Sequence, residues 1–216
     1  MQLNKVKKQY LEFCRLSGIQ DIYFKEPFFD NQDLNELKEK YKDCTACKLN
    51  QGRIKFVYGE GNPEADILLI GEAPGAEENI TGKPFVGKAG QLLTQMLQAI
   101  NLQRDEIYIT NTVKCRPPGN RNPQPEEILA CSTYLAQQIN IINPKLILLL
   151  GKVAAQTMLK KDFTLTKFRE QAYSINGITT FVTYHPSALL RNEGWKRPAW
   201  EDLKKFRDEY KKVKDL

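Results

Sequence analysis

Apolar and polar positions alternate along the chain in blocks that predict strands and helices in turn. Short apolar runs at Asp66–Gly71, Ile107–Asn111 and Leu146–Leu150 have the length and composition of buried strands. Between them, Gly87–Ile100 and Pro125–Ile142 carry apolar residues at helical spacing. Strands of this kind that alternate with helices predict an α/β fold, in which helices cover both faces of a parallel sheet.

A break at Glu26–Asp30 separates an N-terminal extension, residues 1–32, from the main domain, residues 33–216. Asp33 and Glu36 have the spacing of a capping box, so the main domain is predicted to begin with a helix that runs towards Cys44. The extension carries apolar residues at helical spacing, which predict a short amphipathic helix: Val6, Tyr10, Phe13 and Cys14.

Three further elements are predicted in the C-terminal part of the chain. Gly151 precedes a short helix that reaches about Leu159. The segment Gln171–Tyr184 is predicted to form a hairpin, because its centre is the Asn-Gly pair that tight turns favour. A charged helix is predicted over Ala199–Lys214.

Composition narrows the class of partner and the compartment. The net charge of +6 favours a polyanion such as nucleic acid. The longest uniformly apolar run, Leu146–Leu150, is too short to cross a membrane, and the N-terminus has no secretory h-region. Five cysteines are too few for a secreted disulfide scaffold of 216 residues. We therefore expect a cytoplasmic protein in which clustered cysteines hold metal.

Polar side chains follow three of the predicted strands directly. They are Glu72, Asn111 and His185, the single histidine of the chain. Because ligands bind outside the carboxyl ends of parallel strands, we expect these three side chains to converge on one cleft.

Four cysteines are spaced as metal ligands. Cys44 and Cys47 form a C-x2-C pair, Cys115 follows a predicted strand, and Cys131 lies in a predicted helix. Four thiolates suit zinc or an iron–sulfur cluster. Fifteen residues separate Cys115 from Cys131, which fits a zinc ribbon poorly and favours the cluster, while unrelated thiols stay possible.

Four segments after the C-x2-C pair occur in an order that resembles the family 4 uracil-DNA glycosylases. They are GEAPGAEEN (71–79), GKPFVGKAGQLL (82–93), ITNTVKCRPPGNRNP (109–123) and YHPSALLR (184–191). The resemblance implies a three-layer α/β/α sandwich with a central, mostly parallel four-stranded sheet. It implies a [4Fe-4S] cluster on the four cysteines, and a monomeric DNA repair enzyme that hydrolyses the N-glycosidic bond of deoxyuridine in DNA and leaves an abasic site.

The resemblance also assigns the uracil pocket, which includes Gly71 and Ala73. Phe85 corresponds to the residue that stacks on a flipped-out base. Asn111 has an amide that can pair with O4 and N3 of uracil and mismatches cytosine once its orientation is fixed. His185 corresponds to the donor that stabilises negative charge on O2 of the leaving uracil.

Glu72 is placed to polarise the attacking water or to stabilise the cation-like sugar. Glu72 and His185 are the two predicted catalytic residues. Relatives outside this family carry an aspartate where Ala73 stands, so the water-activating residue stays open. Glu77 and Glu78 are interpreted as bystanders, either solvated or capping a turn. Asn79 replaces the aspartate that is more frequent in the family, with an expected effect on loop anchoring.

Two groups of residues are predicted to grip DNA. The segment after His185 is interpreted as a loop that supplies contacts and a wedge for the space left by the flipped base. A second group surrounds Cys115 and is predicted to bind phosphates. The predicted DNA contacts are Ser187, Leu189, Leu190, Arg191, Lys114, Arg116 and Arg121.

Three alternatives remain at this point. The enzyme could act on another deaminated base such as hypoxanthine or xanthine, because base preference is tunable. The chain could be a non-catalytic iron–sulfur module that binds DNA, although the joint presence of Glu72, Asn111 and His185 argues against it. A zinc-bound adaptor is the third.

Overall fold

The computed structural model describes residues 33–214, which contain a mixed six-stranded sheet in the order β1-β3-β2-β4-β6-β5. The four inner strands run parallel to one another. Short antiparallel strands flank them at both edges. The strands are β1 (Glu60–Gly61), β2 (Ile67–Gly71), β3 (Tyr108–Asn111), β4 (Leu146–Leu150), β5 (Tyr173–Ile175) and β6 (Ile178–Thr183).

Helices connect the strands and close both faces of the sheet. They are α1 (Leu34–Tyr41), α2 (Ala76–Thr81), α3 (Lys88–Gln98), α4 (Pro125–Ile142), α5 (Lys152–Leu159), α6 (Leu165–Phe168), α7 (Pro186–Arg191) and α8 (Lys196–Lys214). In the described part of the chain, 3₁₀ turns lie at Lys48–Gly52, Pro118–Asn120 and Glu193–Trp195.

Side chains of the inner strands alternate between two cores, as the pleat of a strand requires. Leu68 and Ile70 of β2 face a core shared with α1, α4 and α5. Ile67 and Leu69 face the opposite core, which α3 and α8 complete. Both faces of the sheet are therefore buried under helices, which confirms the predicted three-layer α/β/α sandwich.

The predicted four-stranded parallel sheet is present as the inner part of a six-stranded one. The hairpin turn falls at Asn176-Gly177 as predicted, with φ of 52° and 84°, and it adds β5 to one edge. The two-residue strand β1 pairs with β3 at the other edge, too short for an apolar pattern to reveal it.

Most predicted helices are confirmed, and the differences lie at short elements. The helix Pro125–Ile142 and the strand Leu146–Leu150 both have the predicted bounds. The segment after His185 was predicted as a loop, which is wrong: it forms α7, because His185 accepts the Ser187 amide as N-cap and proline occupies the first turn. None of the helices within 33–214 has the length and apolar character that crossing a bilayer requires. The predicted extension helix, Cys14 included, lies outside the described residues.

Candidate active site

The carboxyl ends of the parallel strands bring the predicted pocket residues to one edge of the sheet. Gly71 ends β2 directly beside Asn111, which ends β3. A Cβ at position 71 would overlap Asn111 Oδ1 and lie 2.6 Å from Cζ of Phe85. The Phe85 and His185 rings lie 5.5 Å apart between centroids. Glycine at position 71 therefore lets the amide and the two rings close around one small space.

Asn111 carries the clearest sign of a ligand. Its side chain is 1% exposed, and its Oδ1 accepts no hydrogen bond from any residue of the described chain. A buried acceptor without a donor costs about 1–3 kcal/mol. Such a cost persists at a functional site when a ligand supplies the missing donor.

His185 is held as a neutral imidazole of defined tautomer. The backbone N–H of Ser187 donates to Nδ1 at 3.2 Å, and the Ser187 hydroxyl lies 2.8 Å from the same nitrogen. With Nδ1 accepting, the ring proton resides on Nε2. Burial, assisted by the nearby Arg191 charge, lowers the pKa of His185 to about 4. At neutral pH the site therefore offers one uncharged N–H donor.

Phe85 has a backbone conformation that a bulky residue rarely adopts. Its φ is 53°, in the left-handed region. Position 90 must be glycine, because a Cβ there would overlap the Phe85 carbonyl. Strain of this kind persists only where the surroundings enforce it.

Two charged side chains enforce the left-handed conformation of Phe85, and sequence reasoning did not assign this role to either of them. The Glu78 carboxylate accepts from Val86 N at 2.8 Å and Gly87 N at 3.0 Å, directly after Phe85, and its other oxygen accepts from Gly75 N at 3.0 Å. Arg104 donates to the carbonyl of Pro84, directly before Phe85. The interpretation of Glu78 as a bystander is therefore wrong, although it does cap the turn at Gly75. Nothing in the local pattern pointed to Arg104.

Glu72 and Ala73 follow β2 at the same edge. Both are half-buried, and Ala73 packs against the core under α4. Burial raises the pKa of the Glu72 carboxyl. The Glu72 carbonyl accepts from the Thr112 hydroxyl at 2.6 Å, which ties this segment to the end of β3.

Two of the predicted DNA contacts are wrong, because their side chains are buried. Leu189 is 2% exposed and packs into the core under α3 and α8. Lys114 is fully buried, and its Nζ donates to Thr110 Oγ1, the Asn111 carbonyl and Gln138 Oε1 at 2.6–2.8 Å. Burial lowers its pKa to about 7. Lys114 thus anchors the strand end that carries Asn111.

The remaining predicted DNA contacts lie at the surface or at the pocket. Leu190 is 48% exposed on α7, beside the exposed Arg191. Ser187 faces the imidazole. Arg116 donates to Asn120 Oδ1 at 2.7 Å, and Arg121 forms a two-pronged ion pair with Glu127.

Asn79 anchors a loop, as its substitution for aspartate suggested. Its side chain is 3% exposed. Its Oδ1 accepts from Ile54 N at 3.0 Å, and its Nδ2 donates to the Gly52 carbonyl at 3.3 Å. An amide can accept from one group and donate to another, whereas a carboxylate could accept from Ile54 N but could not donate to the Gly52 carbonyl.

The four cysteines of the main domain line one cavity, although they come from three separate segments. All four are free thiols. Three of the sulfurs accept N–H groups: Cys44 from Ala46 N, Cys131 from Lys114 N, and Cys115 from the Arg53 guanidinium at 3.7 Å. Within residues 33–214, no three histidine, cysteine or acidic side chains are close enough to hold a single metal ion.

Comparison with known proteins identifies the family of the chain. The family described as the uracil DNA glycosylase superfamily matches residues 58–204. A type-4 uracil-DNA glycosylase of Sulfurisphaera tokodaii is 47% identical over 81% of this chain and 84% of its own length. A type-4 enzyme of Thermotoga maritima is 43% identical over 85% and 98%. A type-5 uracil-DNA glycosylase of Pyrobaculum aerophilum is 32% identical over 62% and 66%.

Proposed function

The chain belongs to the uracil-DNA glycosylase superfamily, in its type-4 branch, and acts as a DNA repair glycosylase that excises uracil; we propose that Phe85, Asn111 and His185 form its base pocket. The observation that carries this assignment is the buried, unsatisfied Asn111 Oδ1 beside Gly71 and the Phe85 ring. Uracil presents the N3–H donor that this oxygen lacks.

Discrimination against cytosine follows from the orientation of the amide. When Oδ1 accepts N3–H of uracil, Nδ2 can donate to O4. Cytosine presents an unprotonated N3 and an amino group in the same places. Both contacts would then be mismatched, which costs about 1–3 kcal/mol for each buried polar group left unpaired.

His185 acts on the leaving group. The bond between C1′ of the sugar and N1 of uracil breaks, and its electron pair moves into the ring, with charge accumulating on O2. The Nε2–H of a neutral imidazole can donate to that oxygen as the charge develops. Because Ser187 already holds Nδ1, the donor is oriented before the reaction begins.

The sugar becomes cation-like as water attacks C1′. We assign Glu72 to this side of the reaction, where its ionised form stabilises the cation or accepts the proton of the water. Burial raises the pKa of Glu72, so acidification removes the active form at a higher pH than it would for an exposed glutamate.

We further propose that Cys44, Cys47, Cys115 and Cys131 hold a [4Fe-4S] cluster. The shared cavity and the N–H groups donated to the sulfurs support it, since such bonds favour thiolate ligands. In a cluster each thiolate binds a different iron, so the sulfurs need not approach as closely as ligands of one ion. When bound, the cluster would cross-link the segment that follows α1, the segment that follows β3, and α4.

The test uses a labelled oligonucleotide with one uracil opposite guanine, and a matched thymine control. Protein treatment followed by hot alkali should cleave only at uracil, and Asn111→Ala should abolish cleavage. Oligonucleotides with hypoxanthine or xanthine measure substrate breadth in the same assay. A folded, brown protein that leaves uracil intact would overturn the assignment.

A further inference from the structure

A second aromatic surface lies in the 3₁₀ turn Glu193–Trp195, just after α7. The Trp195 side chain is 41% exposed and stacks on Tyr184, with centroids 5.3 Å and planes 24° apart. Tyr184 is buried and immediately precedes His185. The indole is therefore displayed at the surface on the ring of the residue that directly precedes the pocket histidine in sequence.

The support beneath Trp195 is fixed by a buried ion pair. The Arg169 guanidinium lies 4.3 Å from the Tyr184 centroid and donates to its hydroxyl at 3.0 Å. Asp202 binds Arg169 at 2.6 and 3.1 Å and accepts from the Thr183 hydroxyl. An aromatic surface that is already ordered loses little conformational entropy when a ligand binds it.

The exposed residues that flank Trp195 in sequence are apolar and cationic. Leu190 is largely exposed, and Arg191 and Arg197 are exposed on either side of the indole in the sequence. The acidic residue of this stretch, Glu193, is paired with Lys196 at 2.8 Å. A flat ring among positive charges matches a ligand made of flat bases and phosphates.

We propose that Trp195, Arg191 and Arg197 bind single-stranded DNA next to the flipped uridine. Trp195 stacks on the base of a neighbouring nucleotide, and the arginines contact its phosphates. This surface is called the Trp195 platform below. The proposal rests on the proposed function only because the bound strand is the one that carries the uridine. It contributes affinity for the strand, whereas the pocket reads the uracil.

The two tryptophans of the chain permit a direct test by fluorescence. Trp200→Phe leaves Trp195 as the only reporter, and Trp195→Phe leaves Trp200, whose exposure of 36% makes it a matched control. The probe is a single-stranded oligonucleotide with 2′-fluoro-2′-deoxyuridine, since the fluorine destabilises the sugar cation and prevents cleavage. We expect saturable quenching of Trp195 and an unchanged Trp200 signal.

Affinity measurements test the energetic part. Trp195→Ala should weaken single-strand binding about tenfold, which corresponds to about 1.4 kcal/mol, whereas Trp195→Phe should retain most of the affinity and Trp200→Ala all of it. Arg191→Ala and Arg197→Ala should each lower the slope of log Kd against log salt concentration by about the amount expected for one lost phosphate contact. The rate of uracil release at saturating DNA should stay unchanged in Trp200→Phe, because Trp200 lies outside the platform.

A Trp195 reporter that does not respond to bound DNA would overturn the proposal, as would equal affinities of Trp195→Ala and Trp200→Ala. Failure of the platform is distinguishable from failure of the proposed function. In the first case Trp200→Phe, which keeps the platform intact, excises uracil normally but its Trp195 fluorescence does not respond to DNA. In the second, Trp195 responds to the strand although no uracil is released.

Discussion

Replacing Glu78 by alanine tests whether uracil binding depends on how the backbone of Phe85 is held. The substitution removes the acceptor of three backbone N–H groups, those of Gly75, Val86 and Gly87. At about 1 kcal/mol net for each bond, the three stabilise the loop by roughly 3 kcal/mol. A left-handed bulky residue costs on the order of 1–3 kcal/mol. The two magnitudes are similar, so without Glu78 the strained conformation loses its advantage.

The consequence for activity follows from the ring. Stacking on an aromatic side chain contributes roughly 1–3 kcal/mol for each base. A relaxed Phe85 forfeits most of this, so kcat/KM for a single-uracil oligonucleotide should fall about 10- to 100-fold. Glu77→Ala is the matched control, because that neighbouring carboxylate is exposed. Glu78→Gln should lie between, since one amide oxygen can still accept from Val86 and Gly87.

A double-mutant cycle with Phe85→Ala decides the interpretation. If Glu78 acts by placing the ring, Glu78→Ala should cost little in an enzyme that already lacks it. An equal loss of kcat/KM with and without the ring would refute the reasoning and assign Glu78 a different role.

The remaining predictions concern the cysteines, the two titrating groups and α7. Cys115→Ala should lose iron, measured by absorbance near 400 nm, and should lose stability before the chemical step itself is affected. Full iron content would remove Cys115 from the ligand set. The low-pH loss of kcat/KM should disappear in Glu72→Gln, at a reduced rate, since the carboxylate can no longer be protonated. His185 has its pKa lowered from 6.5 to about 4, so the unfolded state binds more protons between these values. Stability in urea should thus decrease as pH falls through this window, by up to about 1.4 kcal/mol per unit, and less in His185→Gln. Leu190→Ala should weaken duplex binding with unchanged stability, whereas Leu189→Ala should cost about 2–5 kcal/mol of folding free energy.

Local pattern was sufficient for the four inner strands and for the residues that end them, although it did not reveal the two-residue β1. Runs such as Leu146–Leu150 are too apolar to be anything but buried, and parallel strands must end at a common edge. Asn111 and His185 could therefore be placed at one site from their positions in sequence. The same reasoning failed for Lys114: a lysine beside arginines is typical of a phosphate contact, but burial among Thr110, Gln138 and the Asn111 carbonyl depends on residues 4, 24 and 3 positions away.

What the sequence alone determined was the class of fold, the order of its longer elements and the chemistry available at the strand ends, because these depend on hydrophobic period and residue type. Tertiary structure decided how that chemistry is held. The left-handed Phe85 depends on Glu78 and on Arg104, contacts that arise only once α2 and the segment after α3 meet the loop. The unsatisfied oxygen of Asn111 and the stack of Trp195 on Tyr184 are likewise properties of packing, which no local pattern encodes.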